Sequence, residues 1–247
     1  MPPALIAFLV VVGVALASMV AYALTGARPD RDTVGKGAHL FGGGGDFVLH
    51  WFMWAIDPCV TGSARFGLTP DFYNYAGLAL GAASGGLIAT GQLEWGGWAI
   101  ILGGLCDVLD GRIARLTGAA SHYGDFIDST FDRFVEAFIF LGFAVWLRTT
   151  AFGAVLATAA LAGSFLVSYA RARGEVLGVD CAGGLMQRGE RLLLTLLACL
   201  LDRALCARFG WARGTVAQAT LVLLAATSFL TAAQRTVWIA RRLRTPR

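Results

Sequence analysis

Seven apolar stretches recur along this chain, at residues 4–24, 71–89, 95–116, 123–147, 151–169, 189–201 and 215–239, with short polar turns between most of them. A helix needs roughly 20 apolar residues to cross a bilayer, and most of these stretches meet or approach that length. In lipid the backbone has to satisfy its polar groups within its own helices. The fold class expected is all-α, a polytopic membrane protein. Composition agrees, since 57% of the 247 residues are hydrophobic, 15% are charged and the mean hydropathy is +0.66, too apolar for a soluble domain of this length.

The basic residues set the orientation. Of twenty Lys and Arg, sixteen fall on one side of this topology and four, Arg148, Arg203, Arg208 and Arg213, on the other. The positive-inside rule makes the richer side cytoplasmic, with the N-terminus outside and the C-terminus inside. The net charge of +4 therefore speaks to orientation rather than to nucleic acid. Five cysteines, Cys59, Cys106, Cys181, Cys199 and Cys206, are odd in number and lack C-x-x-C or Cys/His spacing, so they read as packing residues.

Residues 4–24 lack a basic leader and a cleavage site, and read as an uncleaved anchor followed by Arg28, Arg31 and Lys36. Residues 29–45, ending in four glycines, read as a flexible linker. This divides the chain into an anchor and linker, 1–45, and a membrane domain, 46–247. Residues 47–66 mix Phe47, Trp51 and Trp54 with His50, Asp57 and Arg65, the pattern of an amphipathic helix lying in the interface and interrupted near Pro58. Thr69 and Pro70 then supply a cap and a first helical turn. Gly77, Gly81 and Gly85 recur every four residues, which lets a neighbouring helix approach closely or leaves room for a lipid chain.

Against this apolar background, residues 107–132 place acid after acid. Asp107 and Asp110 are three apart and Asp128 and Asp132 four apart, so each pair shares a helix face. Two antiparallel helices joined near residues 116–123 would aim four carboxylates at one point. Such a cluster repels itself unless it meets cations, and hard divalent ions accept carboxylate oxygens and bring phosphates with them. A two-metal phosphoryl-transfer site is the reading; interfacial acids held in salt bridges are the alternative. Glu136, one turn deeper, is expected to take a buried pairing role with a nearby Arg, with catalysis as the alternative. Asp125 is expected to be solvated, and His39, His50 and His122 form no ligand set. A divalent-cation channel would want acids deep in the spans or on both sides, and these lie on one.

The string D107-x-x-D110-G111-x-x-A114-R115, eight residues, then G124-x-x-x-D128-x-x-x-D132 resembles the signature of the CDP-alcohol phosphotransferase (CDP-alcohol phosphatidyltransferase) family at every fixed position. The resemblance implies a six-helix core, here with an extra N-terminal transmembrane helix and the interfacial helix. It implies an enzyme that displaces CMP from CDP-diacylglycerol with an alcohol, and two Mg2+ or Mn2+ ions on Asp107, Asp110, Asp128 and Asp132. It further implies CDP contacts from Asp107, Asp110, Gly111, Ala114, Arg115, Gly124 and Asp128, Asp132 as catalytic base, a homodimer, and a bacterial cell membrane with the site facing the cytoplasm. Residues 168–175 and 183–191, together with D128-S-T-F-D132-R133, resemble the branch that makes phosphatidylinositol phosphate from inositol phosphate. That branch implies acceptor-phosphate contacts from Arg171, Arg173, Arg188 and Arg191. Arg171 departs from the Lys usual there, an ordinary basic loop is the alternative reading, and glycerol phosphate, serine or another alcohol stays open as acceptor.

Overall fold

The computed structural model describes residues 3–25, 45–181 and 183–244, so the expected linker, its basic residues and His39 lie outside the described residues, apart from Gly45. Among them are eight helices and no strand: α1 (Pro3–Thr25), α2 (Gly45–Arg65), α3 (Pro70–Ala89), α4 (Leu93–Thr117), α5 (His122–Trp146), α6 (Ala151–Val176), α7 (Arg188–Phe209) and α8 (Thr215–Arg244). Helices α3 to α8 are the expected six-helix core. By length and composition alone α1, α6 and α8 can cross a membrane. The others fall short because α4, α5 and α7 carry the charged residues of the site and α3 its small and polar ones.

The core is a stack of apolar layers from several helices, among them Ile88, Leu93, Ile139, Phe140, Phe143, Leu221 and Leu224. Close approach of α3 to α5 depends on glycine. A Cβ on Gly81 would strike Val135, and one on Gly85 would strike the Phe138 backbone. Packing thus accounts for both residues, as the four-residue glycine spacing allowed. Thr69 caps α3 as expected, accepting from the Phe72 N–H at 3.3 Å.

Several boundaries differ from the sequence reading. Pro58 does not interrupt α2; Ile56 and Val60, on either side of it, are buried against Leu109 and Ile113 of α4, and this packing holds the helix through the lost backbone bond. Leu93 and Glu94 belong to α4 rather than to a turn, because Gly91, at φ 78°, makes the reversal earlier. Arg171 and Arg173 lie on the last turns of α6 and not in a loop. Helix α7 runs about two turns past residue 201, since Asp202 is fully buried and accepts from the backbone N–H groups of Gly214 and Ala217, capping α8 from outside it. Helix α1, expected as an anchor, touches α2 and α4 at a few points. The Trp98 Nε1–H donates to the Ala4 carbonyl and the Trp51 Nε1–H to Ser18, each at 3.0 Å, and Tyr22 packs on Phe47 and Trp54.

Candidate active site

The acidic motif forms a helical hairpin. Gly118, in the left-handed region at φ 68°, ends α4, and Ser121 starts α5 by accepting from the Gly124 N–H at 3.2 Å. Helix α3 packs against both α4 and α5, and α7 packs against α4. Between them lies an open cleft. Its polar end holds Asp107, Asp110, Asp128, Asp132 and Arg188, and Leu78, Ile100, Val135 and Leu192 make its apolar end. A cavity charged at one end and apolar at the other suits a lipid with a charged head.

Asp107, Asp128 and Asp132 each present an oxygen within 4.8 Å of the others. Asp110 is buried and lines the same cleft, outside that trio. Four carboxylates therefore face Arg188, with Arg133 also 3.8 Å from Asp132. Arg188 Nη1 donates to both oxygens of Asp107, at 3.1 and 3.3 Å, and Nη2 pairs with Asp132. Three clustered hard oxygen donors with a surplus of negative charge fit a divalent cation, whereas a soft or nitrogen-seeking metal would find no His or Cys in the trio.

Gly111 and Ala114 are half-buried and Arg115 is exposed. A Cβ on Gly111 would meet only Arg115, at 3.6 Å, and one on Gly124 only Ser121, also at 3.6 Å. Protein packing therefore asks for neither glycine, unlike Gly85.

One turn below Asp132 the charges are arranged otherwise. Glu136, 1% exposed, accepts from Arg191 Nε and Nη2 at 3.0 and 2.7 Å, from Arg133 at 3.1 Å and from Ser164 at 2.6 Å. The pairing expected of Glu136 is present. Arg191, which the resemblance assigns to the acceptor, is 2% exposed and bonds Glu136 and the Met186 carbonyl, because an unpaired charge at that depth would be costly. Of the four arginines assigned to the acceptor, only Arg188 lines the cleft; Arg171 pairs with Glu175 at 2.7 Å on the surface, and Arg173 is exposed. Asp125 and His122 are exposed and His50 is half-buried, and none joins the cluster.

Arg235, which the sequence did not single out, is buried, donates to the Gly183 and Val167 carbonyls, and lines a second, open pocket with Asp180, Gln234 and Trp238. Nor did the sequence single out Tyr73 and Asn74 of α3, which wall the acidic cleft. An arginine set deep in an otherwise apolar helix was the available signal for Arg235; nothing local marks Tyr73 or Asn74.

An all-helical bundle with an acidic, half-apolar cleft defines a class: membrane enzymes that handle phosphate on a lipid with divalent metal. Comparison with known proteins makes this specific. The CDP-alcohol phosphatidyltransferase family model matches residues 68–242. Archaetidylinositol phosphate synthase of Methanothermobacter thermautotrophicus is 32% identical over 76% of this chain and 90% of its own length. Phosphatidylinositol phosphate synthase of Mycobacteroides abscessus is 34% identical over 72% of this chain and 80% of its own. Two crystal structures of Mycobacterium tuberculosis phosphatidylinositol phosphate synthase share the fold. The one with CDP-DAG bound superposes at a TM-score of 0.66 and 29% identity, covering 74% of this chain and 92% of that one. The other, in complex with manganese and citrate, gives 0.65 and 30%, over 73% and 88%. The chain belongs to the CDP-alcohol phosphatidyltransferase family, and it is an integral membrane enzyme of that class.

Proposed function

We propose that this enzyme transfers the phosphatidyl group of CDP-diacylglycerol to inositol phosphate and releases CMP. The observation that carries the reading is the trio of Asp107, Asp128 and Asp132 oxygens within 4.8 Å, in a cleft whose far end is apolar. The inositol phosphate synthases among its relatives support the choice of acceptor.

Two divalent ions, Mg2+ or Mn2+, would be held by Asp107, Asp110, Asp128 and Asp132, and would neutralise the diphosphate and support the leaving CMP. The protein's own part is positional. Helices α4 and α5 present the acids from rigid elements, the apolar end of the cleft takes the acyl portion, and the open faces at Gly111 and Gly124 admit the nucleotide beside Ala114 and Arg115. Asp132, the deepest of the trio along α5, takes the proton of the acceptor hydroxyl. That oxygen forms a bond to the phosphorus bearing the diacylglycerol, the bond from that phosphorus to the bridging oxygen breaks, and CMP leaves with that oxygen. Direct displacement inverts the phosphorus. Arg188 in the cleft receives the acceptor's phosphate, and the exposed Arg171 and Arg173 at the end of α6 add positive charge for its approach. The excess of basic residues at this end of the bundle supports a site facing the cytoplasm, the bacterial relatives support a bacterial cell membrane, and family likeness supports a homodimer.

The test is CMP release from CDP-diacylglycerol with a panel of acceptors. Inositol phosphate should be preferred to free inositol, glycerol phosphate and serine. Equal rates with free inositol, or a preference for another alcohol, would overturn the assignment.

A further inference from the structure

We propose that Arg188 is a built-in competitor for the divalent cation: its guanidinium neutralises Asp107 and Asp132, has to release them when a metal ion binds there, and so couples metal loading to a phosphate-class anion that takes the arginine over. This rests on the metal site just described and adds to it a residue that opposes metal binding.

The geometry carries the idea. The two carboxylates that Arg188 engages belong to the same trio that presents its oxygens to one point, with Nη1 bonding both oxygens of Asp107 and Nη2 pairing with Asp132. Oxygen lone pairs committed to a guanidinium are not offered to a metal ion, and a cation beside a second cation is repelled strongly where water is scarce.

The guanidinium is also incompletely satisfied. Its Nε is buried with no hydrogen-bond partner, while the guanidinium of Arg191, one turn on, makes two bonds to Glu136 and one to a carbonyl. The planar fork of an arginine suits a phosphate edge, so an arriving anion offers this group more than the carboxylates do.

What can move is the side chain and not its helix. The start of α7 is held by the Gln187 N–H donating to Glu190 at 2.7 Å, by the Met186 N–H donating to Thr231 at 3.1 Å, and by Arg191 on Glu136. Arg188 thus swings on a long stem from a fixed base.

The sign of one effect separates this from the opposite role. If Arg188 competes, removing its charge tightens metal binding; if it braces the carboxylates for metal, removing it weakens binding. The experiment is a Mn2+ titration of the full-length protein in lipid nanodiscs, followed by electron paramagnetic resonance, with no turnover involved. Arg188→Gln should lower the Mn2+ dissociation constant about tenfold or more, and Arg188→Lys, which keeps the charge, should stay within about threefold of wild type. Inorganic phosphate should tighten Mn2+ binding in wild type more than in Arg188→Gln. Should the Gln protein not fold, Arg188→Met, with a stem of similar shape, replaces it. Unchanged or weaker Mn2+ binding in the neutral variant, with wild type binding normally, overturns the competition and leaves the metal site standing. Equal phosphate effects in the two proteins overturn the coupling. If wild type and Asp128→Asn alike bind no Mn2+, the metal site itself is wrong and the inference falls with it.

Discussion

Asp132 and Glu136 sit one turn apart on α5, both largely buried, yet they live in opposite electrostatic settings. Glu136 is matched to excess, with two arginines and a hydroxyl on its carboxylate. Asp132 shares Arg188 with Asp107 and has Arg133, the closer partner of Glu136, only at 3.8 Å, in a cleft that also holds Asp128 and Asp110. Burial alone therefore does not separate structural from chemical charge. The balance of charge does: the protein closes one account internally and leaves the other open for cations.

That contrast can be broken most sharply at the open end. Asp107→Asn should cost about 10³-fold or more in CMP release at saturating Mg2+, while thermal unfolding in detergent stays close to wild type. A variant that lost stability instead would erase the distinction. Asp132→Asn should lose roughly 10²- to 10⁴-fold in turnover with CDP-lipid binding retained, and a loss of only a few-fold would remove its role as base.

At the closed end the expectation reverses. Glu136→Gln or Arg191→Ala leaves a buried charge without its partner and should destabilise the protein by about 3–5 kcal/mol, read as a lower unfolding midpoint. If Arg191→Ala kept its stability and only raised the KM for inositol phosphate, Arg191 would serve the acceptor and not the buried pair.

Glycines repeat the contrast on a smaller scale. Gly85→Ala forces a Cβ onto the Phe138 backbone and should lower the unfolding midpoint. Gly111→Ala meets no such obstacle and should leave the midpoint unchanged while raising the KM for CDP-diacylglycerol. Smallest of all is the Asp57 to Arg112 pair at 2.8 Å, whose acid is 54% exposed; Asp57→Asn should cost under about 1 kcal/mol.

How much the sequence revealed depended on range. The fixed register of Asp107, Asp110, Asp128 and Asp132, the cap at Thr69 and the glycine spacing of α3 are local patterns, and each names its element directly. The pairing of Arg191 with Glu136, 55 residues away, has no local signature, because a basic residue before an apolar run looks the same whether it faces a loop or a buried acid. The apolar stretch ends at residue 201 because Asp202 is charged, and the backbone N–H groups that keep Asp202 within the helix belong to the next one. Pro58 signalled a break that packing on α4 overrides. The pairing of Arg188 with Asp107, 81 residues away, likewise has no local signature.

The most direct test of an acid cluster left open for metal is CMP release from CDP-diacylglycerol and inositol phosphate by the wild-type enzyme, with divalent ions removed by a chelator and Mn2+ then restored. The account predicts that release stops on chelation and returns on addition of Mn2+. Release that continues undiminished in the metal-free enzyme would contradict it.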